Sequence, residues 1–259
     1  MSVVAIIPAR YASSRLPGKP LLAETGKPLV IHVAERAEAA AAVSLVAIAT
    51  DDARIADAAE ASGRRAVMTD PGHESGTERV AEAARILEDE GARFDVVLNV
   101  QGDEPELNPD DLDALAAAHR ASGAFASTLA CPFPADAVSG PGSPADPNCV
   151  KAVLRPWTEN VLEALYFTRS LAPYPRDAKG SVVDPTAFHL HLGVYAFSPE
   201  SLQHFAAAAP SLLERTERLE QLRILEMGER IAVAKVKSAA PGIDTPGDYA
   251  AFVARCRGS

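Results

Sequence analysis

The sequence predicts an α/β chain whose first half is a mostly parallel sheet, and three observations carry that expectation. An apolar run too short for a helix, VVAII at 3–7, opens the chain and empties into a basic, flexible loop. Strand-length apolar runs then alternate with helical patterns as far as residue 68, the pitch of right-handed parallel crossovers. A further apolar run, DVVLNV at 95–100, ends abruptly in the polar QGDEP. Open α/β sheets bind ligands at the carboxyl ends of such strands, so the pattern reads as a nucleotide-binding sheet.

Each later element follows from its own pattern. Residues 28–42 place Leu29, Val30, Val33, Ala37 and Ala41 at mainly helical spacing, with no internal Pro or Gly. A second strand falls at 44–50, an Ala-rich helix at 52–62 with Gly63 as its cap, and a short third strand at 65–68. HESGTER at 73–79 precedes an amphipathic helix that runs to about residue 90, and Ser75 and Thr77 are both candidate N-caps. A helix follows at 109–122 and a strand at 126–131. The stretch 133–148 holds Pro134, Pro141, Pro144 and Pro147 with Gly140 and Gly142, which breaks the rhythm and reads as an inserted, mobile loop. A strand at 149–154 contains Lys151, and 162–170 leads into an exposed, Pro-rich segment. HLHLGVYAF at 189–197 alternates His191, Gly193 and Tyr195 on one face with Leu192, Val194 and Ala196 on the other, the pattern of a half-buried strand. A charged helical region at 211–227 and a last strand at 231–236 bring the chain to GIDTP at 242–246.

Composition narrows the function. The 259 residues are 47% hydrophobic, ample for a sizeable core, and the aromatic share of 5% shifts that core towards Ala, Val and Leu. No apolar run approaches the roughly 20 residues needed to cross a bilayer, and no leader pattern precedes the first strand. The expectation is a soluble, cytoplasmic protein with no membrane partner. A formal net charge of −10 argues against a nucleic-acid surface, which needs concentrated cations. The three cysteines lack CxxC spacing and read as reduced thiols.

The basic loop therefore stands out on an acidic body. Arg10, Arg15 and Lys19 sit among small residues, so the backbone can approach a polyphosphate while two guanidinium forks and a mobile ammonium neutralise it. Solvated surface cations are the alternative reading. The pattern is neither GxxxxGK[ST] nor GxGxxG. Asp103 lies just past a buried strand end, where a carboxylate suits a hard cation, and Gly102 leaves room for a nucleotide. Asp244, ahead of Thr245 and Pro246, reads as a helix N-cap with Pro246 at the first helical position.

IIPARYASSRLPGKPL at the start, SGTER at 75–79, NVQGDEP at 99–105, HLGVYAF at 191–197, LEQLRIL at 219–225 and GIDTP at 242–246 occur in this order along the whole chain. Together they resemble the 3-deoxy-manno-octulosonate cytidylyltransferases of lipopolysaccharide-making bacteria. That resemblance implies a three-layer, Rossmann-like nucleotide-diphospho-sugar transferase fold in one domain, 1–259. The nucleotide part would span 1–132 and 228–259, and a smaller sugar-binding and dimerisation part 149–227. It implies transfer of a cytidylyl group from CTP to an acidic octulosonate sugar. Arg10, Lys19 and Asp103 would be catalytic. Arg10, Arg15, Lys19, Ser75, Arg79 and Gln101 would bind the nucleotide, and Asp103 and Asp244 would hold Mg²⁺. Arg169, His191, Gly193, Tyr195, Glu220 and Gln221 would bind the sugar, with Glu217 on a solvated face. A homodimer is also implied, its interface within 154–195. The chain departs from the family in its longer connection at 133–148 and in Gly247, where an acidic residue is common.

Overall fold

The computed structural model describes residues 2–12 and 16–258, which form two compact units. The first comprises Met1–Asp113, Ser198–Ala206 and Ala240–Ser259. It holds four parallel strands, β1 (Val3–Ala9), β2 (Val43–Thr50), β3 (Arg65–Met68) and β4 (Val96–Asn99), in the order β3-β2-β1-β4. Residues 3–7 of β1 are fully buried, as a run of apolar side chains in a parallel sheet must be. The helices are α1 (Leu29–Glu38), α2 (Ala53–Ala61), α3 (Gly76–Asp89), the start of α4 (Pro109–Ser122), α5 (Pro199–Ala207) and α8 (Pro246–Gly258).

Helix α1 stops short of the expected residue 42 because the carboxylate of Asp113 accepts the backbone N–H groups of Ala41 and Ala42, turning the chain into β2. Gly63 takes the left-handed conformation just past α2 that closes a helix, with φ 77°. Tyr249, Phe252 and Val253 of α8 pack with Leu16, Leu29 and Ile243, which fixes the entry to α8 close to the loop after β1.

The second unit comprises Ala114–Phe197 and Ala207–Ala239. Its strands β5 (Ala126–Pro132), β6 (Lys151–Pro156), β7 (Leu162–Thr168), β8 (His189–Phe197) and β9 (Ile231–Lys235) lie in the order β8-β5-β9-β7-β6. One further pair, Lys151 with Leu190, joins β6 to β8. Only β5 and β9 run parallel here, so the mostly parallel sheet belongs to the first unit and the second is mixed. The division also differs from the boundary expected between residues 132 and 149. Strands β5 and β9 hydrogen-bond to β8 and β7, and that pairing carries both into the second unit.

The charged region at 211–227 is two helices, α6 (Leu212–Glu217) and α7 (Gln221–Glu226), broken where Arg218 adopts a left-handed conformation. Residues 133–148 form successive turns, and the carboxylate of Asp146 accepts the N–H groups of Gly142 and Asn148. Trp157 lies under the guanidinium of Arg230, 3.6 Å from the ring centre.

Candidate active site

In the first unit a cavity of about 420 Å³ opens at the carboxyl end of β1, lined among others by Arg10, Lys19, Gln101 and Asp103. The loop that supplies its cations is pinched at the base, where the Gly18 N–H donates to Tyr11 O at 3.1 Å. Gly18 is left-handed, at φ 69°, and an added Cβ would press on the Tyr11 ring. It starts a single 3-10 turn, Lys19–Leu21, that directs Lys19 inward until only 15% of its side chain is exposed. Arg15 lies outside the described residues.

Lys19 Nζ donates to Asp103 Oδ2 and to Ile243 O, each at 2.8 Å, and stands 3.9 Å from Asp244 Oδ1. The backbone makes the same connection, since Ile243 N–H donates to Asp103 O at 2.9 Å. Residues remote in sequence, 19, 103 and 244, therefore converge on one ammonium. Helix α8 is capped by Thr245, whose hydroxyl accepts from Asp248 N–H at 3.2 Å while the Asp248 carboxylate accepts the backbone N–H groups of Asp244 and Thr245. The capping reading of Asp244 is thus corrected. Its carboxylate faces the Lys19 ammonium at 3.9 Å, and Asp248 supplies the acidic group that Gly247 lacks.

Arg10 follows β1 directly, and its Nη2 donates to the carbonyls of His73 and Ser75 at 2.5 and 2.8 Å. Burial, and then the charge of Arg79, lowers its pKa from the ordinary arginine value. One nucleotide assignment changes, that of Arg79, while Ser75 has the capping role that ligand binding can share. The Ser75 hydroxyl accepts from Glu78 N–H in a capping box, so it starts α3. Arg79 has no exposed surface. It donates to Thr69 and to Asp51 Oδ2, the latter at 2.9 Å, and so ties α3 to the ends of β2 and β3 rather than lining the cavity. Thr77, the other candidate cap, is buried inside α3 and accepts from Asn99 Nδ2 at 3.0 Å.

Gly102 lies in the cavity wall, and a Cβ there would also stand 2.9 Å from Pro8 O, so the residue permits β1 to pass close by. Glu104, which the sequence reading did not single out, has its carboxyl pushed up to about 7, first by burial and then by Asp103.

The sugar candidates all lie in the second unit. Opposite Thr128 and Leu129 of β5 stand Tyr195 and Leu192, so Gly193 and Val194 form a bulge in β8. Four residues of straight strand span about 13 Å. The bulge instead leaves the His191 and Tyr195 rings 5.6 Å apart, and the strand's last four residues are all buried, which replaces the expected alternation.

Thr128 Oγ1 fills the bulge, 2.8 Å from Val194 O and 3.0 Å from both Leu192 O and His191 Nε2. Its single proton goes to a carbonyl, so it accepts from His191 and assigns the imidazole proton to Nε2. Nδ1 is then the acceptor facing Gln221 Nε2, at the long limit of 3.5 Å. Burial pushes the His191 pKa down to about 3, which keeps the ring neutral. Tyr195 is raised well above the ordinary phenol value by burial and then by the charge of Glu220. His191, Tyr195, Glu220 and Gln221 are thus brought together.

Arg169 has other partners. Its Nε donates to Glu217 O at 2.7 Å, Nη1 to Pro147 O at 3.0 Å and Nη2 to Arg218 O at 3.4 Å. Glu217 is not on a solvated face: its carboxylate accepts from the Thr168 hydroxyl at 2.7 Å and from Arg169 N–H at 2.8 Å.

The cytidylyltransferase family model matches residues 4–231. The chain belongs to the cytidylyltransferase family. It is 46% identical to the 3-deoxy-manno-octulosonate cytidylyltransferase of Syntrophobacter fumaroxidans over 98% of this chain and 96% of that one. With the enzyme of the same name from Escherichia coli it shares 41% identity over 94% and 91% of the two chains. Among solved structures, a CMP:2-keto-3-deoxy-manno-octonic acid synthetase complexed with CTP superposes with a TM-score of 0.85 at 39% identity, covering 100% of this chain and 99% of that one. A 4-diphosphocytidyl-2C-methyl-D-erythritol synthase, 17% identical with a TM-score of 0.61 over 98% of this chain and 99% of that one, shares the fold.

Proposed function

We propose that this chain transfers the cytidylyl group of CTP to the anomeric hydroxyl of 3-deoxy-manno-octulosonate and releases pyrophosphate, the reaction that supplies an activated sugar for lipopolysaccharide. One observation carries the reading. Asp103 and Asp244 converge on Lys19 beside Arg10 at a cavity of about 420 Å³, in a chain that aligns almost end to end with relatives of that name.

The donor set fits Mg²⁺. Two carboxylate oxygens lie 2.8 and 3.9 Å from one ammonium, and magnesium is commonly held by one or two carboxylates completed by phosphate oxygens and water. Asp103 and Asp244 would hold it, and when bound it would withdraw charge from the phosphate oxygens. Lys19 would exchange its carboxylate contact for the triphosphate, and Arg10, steadied by two carbonyls, would present a second positive charge. Gln101, at the wall of the same cavity, would bind the nucleotide.

The sugar hydroxyl attacks the α-phosphorus as the bond to pyrophosphate breaks, and gives up its proton to solvent, so positioning and charge neutralisation suffice without a covalent intermediate. On the sugar side, neutral His191 and Tyr195, with Glu220 and Gln221, would hold hydroxyls, the bulge at Gly193 giving them their spacing. Arg169 would take the sugar carboxylate. Its described bonds use one proton on each terminal nitrogen and leave one on each for a ligand. A homodimer joined through 154–195 is part of the same proposal, supported by the exposure of Leu165, Tyr174 and Val183. So is a cytoplasmic location. Among the described residues no helix is long and apolar enough to cross a membrane.

Pyrophosphate release with CTP, Mg²⁺ and 3-deoxy-manno-octulosonate tests the reaction, run beside N-acetylneuraminate and beside ATP, GTP and UTP. Release confined to CTP with the octulosonate is expected. Preference for another sugar would change the acceptor, and folded protein that binds CTP without release from any pair would overturn the reading.

A further inference from the structure

Lys151 is a charged side chain that the proposed reaction does not use, and it is fully buried. It opens β6, and the three protons of its ammonium have three main-chain acceptors: Asp146 O at 2.9 Å, Cys149 O at 2.7 Å and Arg169 O at 2.6 Å. The first two belong to the turn before β6, and the third follows the end of β7. The same junction is closed a second time by Arg169, whose Nη1 reaches Pro147 O in that turn. Glu217 closes it from α6 by accepting the Arg169 N–H.

Burying an ammonium is unfavourable by several kcal/mol unless every proton is satisfied, as here. An apolar replacement would take the ammonium away from three inward-turned carbonyls, of which Asp146 O would keep only the Cys149 N–H at 3.2 Å. A single positive charge among three carbonyl oxygens has the chemistry of a monovalent cation site, with the cation supplied by the chain itself.

We propose that Lys151 is a positioning residue, a built-in monovalent cation that holds the backbone of Arg169 and so sets the direction of its guanidinium towards the sugar carboxylate. This rests on the reading of Arg169 as that carboxylate's ligand.

Steady-state kinetics of Lys151→Ala, Arg169→Gln and the double variant test it, with the two substrates varied separately. Arg169→Gln is expected to raise the KM for the octulosonate, and Lys151→Ala to raise it about tenfold, with kcat changed less than about threefold and the KM for CTP unchanged. Propylammonium chloride in the assay is expected to restore the sugar KM of Lys151→Ala, whereas sodium chloride at equal ionic strength is not. In the Arg169→Gln background Lys151→Ala is expected to add less than about twofold, because the two act as one unit.

A sugar KM unchanged in Lys151→Ala but raised in Arg169→Gln overturns the proposal alone, as does full additivity. An unchanged sugar KM in Arg169→Gln overturns the reading beneath it. Should Lys151→Ala fail to fold, Lys151→Arg replaces it: the planar fork cannot serve three carbonyls around one point, so a several-fold rise in sugar KM is expected, and a wild-type value overturns the proposal.

Discussion

At the scale of single residues, charge decides more than shape. The Asp103 carboxylate is 2.8 Å from the Lys19 ammonium, and Asn in its place keeps the volume while removing the charge that a metal or the ammonium needs. Asp103→Asn is expected to lower turnover about a hundredfold or more, with the melting temperature little changed. Full Mg²⁺-dependent turnover would remove Asp103 from the site. His191 works as a neutral ring. Its pKa is pushed from 6.5 to about 3 by burial, so its NMR ring signals are expected to show no titration above pH 5. A midpoint near 6.5 would mean the ring is solvated and the site differently built.

Elements place these residues through their ends. The N-cap of α8 is Thr245, one residue beyond Asp244, and this separates stability from catalysis between neighbours. Thr245→Ala is expected to reduce unfolding free energy by about 1 kcal/mol. Asp244→Asn is expected to leave stability near wild type and reduce turnover. Urea unfolding and a turnover assay on both variants check the pair, and a destabilised but active Asp244→Asn would return the capping role to that residue. In β8 the bulge matters in the same way, since it shortens the step between His191 and Tyr195 without changing which residues are present.

For the molecule as a whole, the described nucleotide candidates lie in the first unit and the sugar candidates in the second. Acid should act on the second through Glu163 and His191. The Glu163 carboxyl is held down to about 2, first by its hydrogen bond to Arg230 and then by Arg155, against the opposing effect of burial. Because its folded pKa lies below the ordinary 4.5, its contribution is complete above that value and is lost as pH falls towards 2. His191 has the same sign, since the unfolded ring takes up a proton that the buried one refuses. Its contribution is complete above about 6.5 and is lost on the way to 3. Both arginines beside Glu163 are about half exposed, so solvent screening keeps its contribution modest. Glu163→Gln is expected to lower the melting temperature by a few degrees at pH 7 and to flatten its fall between pH 4.5 and pH 2. An unaltered pH profile would show that the ion pair contributes nothing.

Much of this was legible in the amino-acid order. Buried runs such as 3–7 have only one economical fate, a central strand, and polar residues just past such runs must emerge at a sheet edge. That logic located Arg10, Lys19 and Asp103, and the family motifs added Asp244 and the cluster around His191. What local pattern cannot contain is the identity of a partner far along the chain. Glu217 looks solvated until Arg218 turns left-handed and delivers the α6 carboxylate to Arg169. Arg79 looks like a nucleotide ligand until Asp51 and Thr69 enclose it, and only the packing reveals that Gly102, in the cavity wall, also clears Pro8 O. The sequence by itself determined the strands, most helices, the basic loop and the chemical class of the site. Only the tertiary structure decided which polar groups are spent on holding the chain and which remain for a ligand, because a buried donor or acceptor takes whatever partner the packing brings within reach.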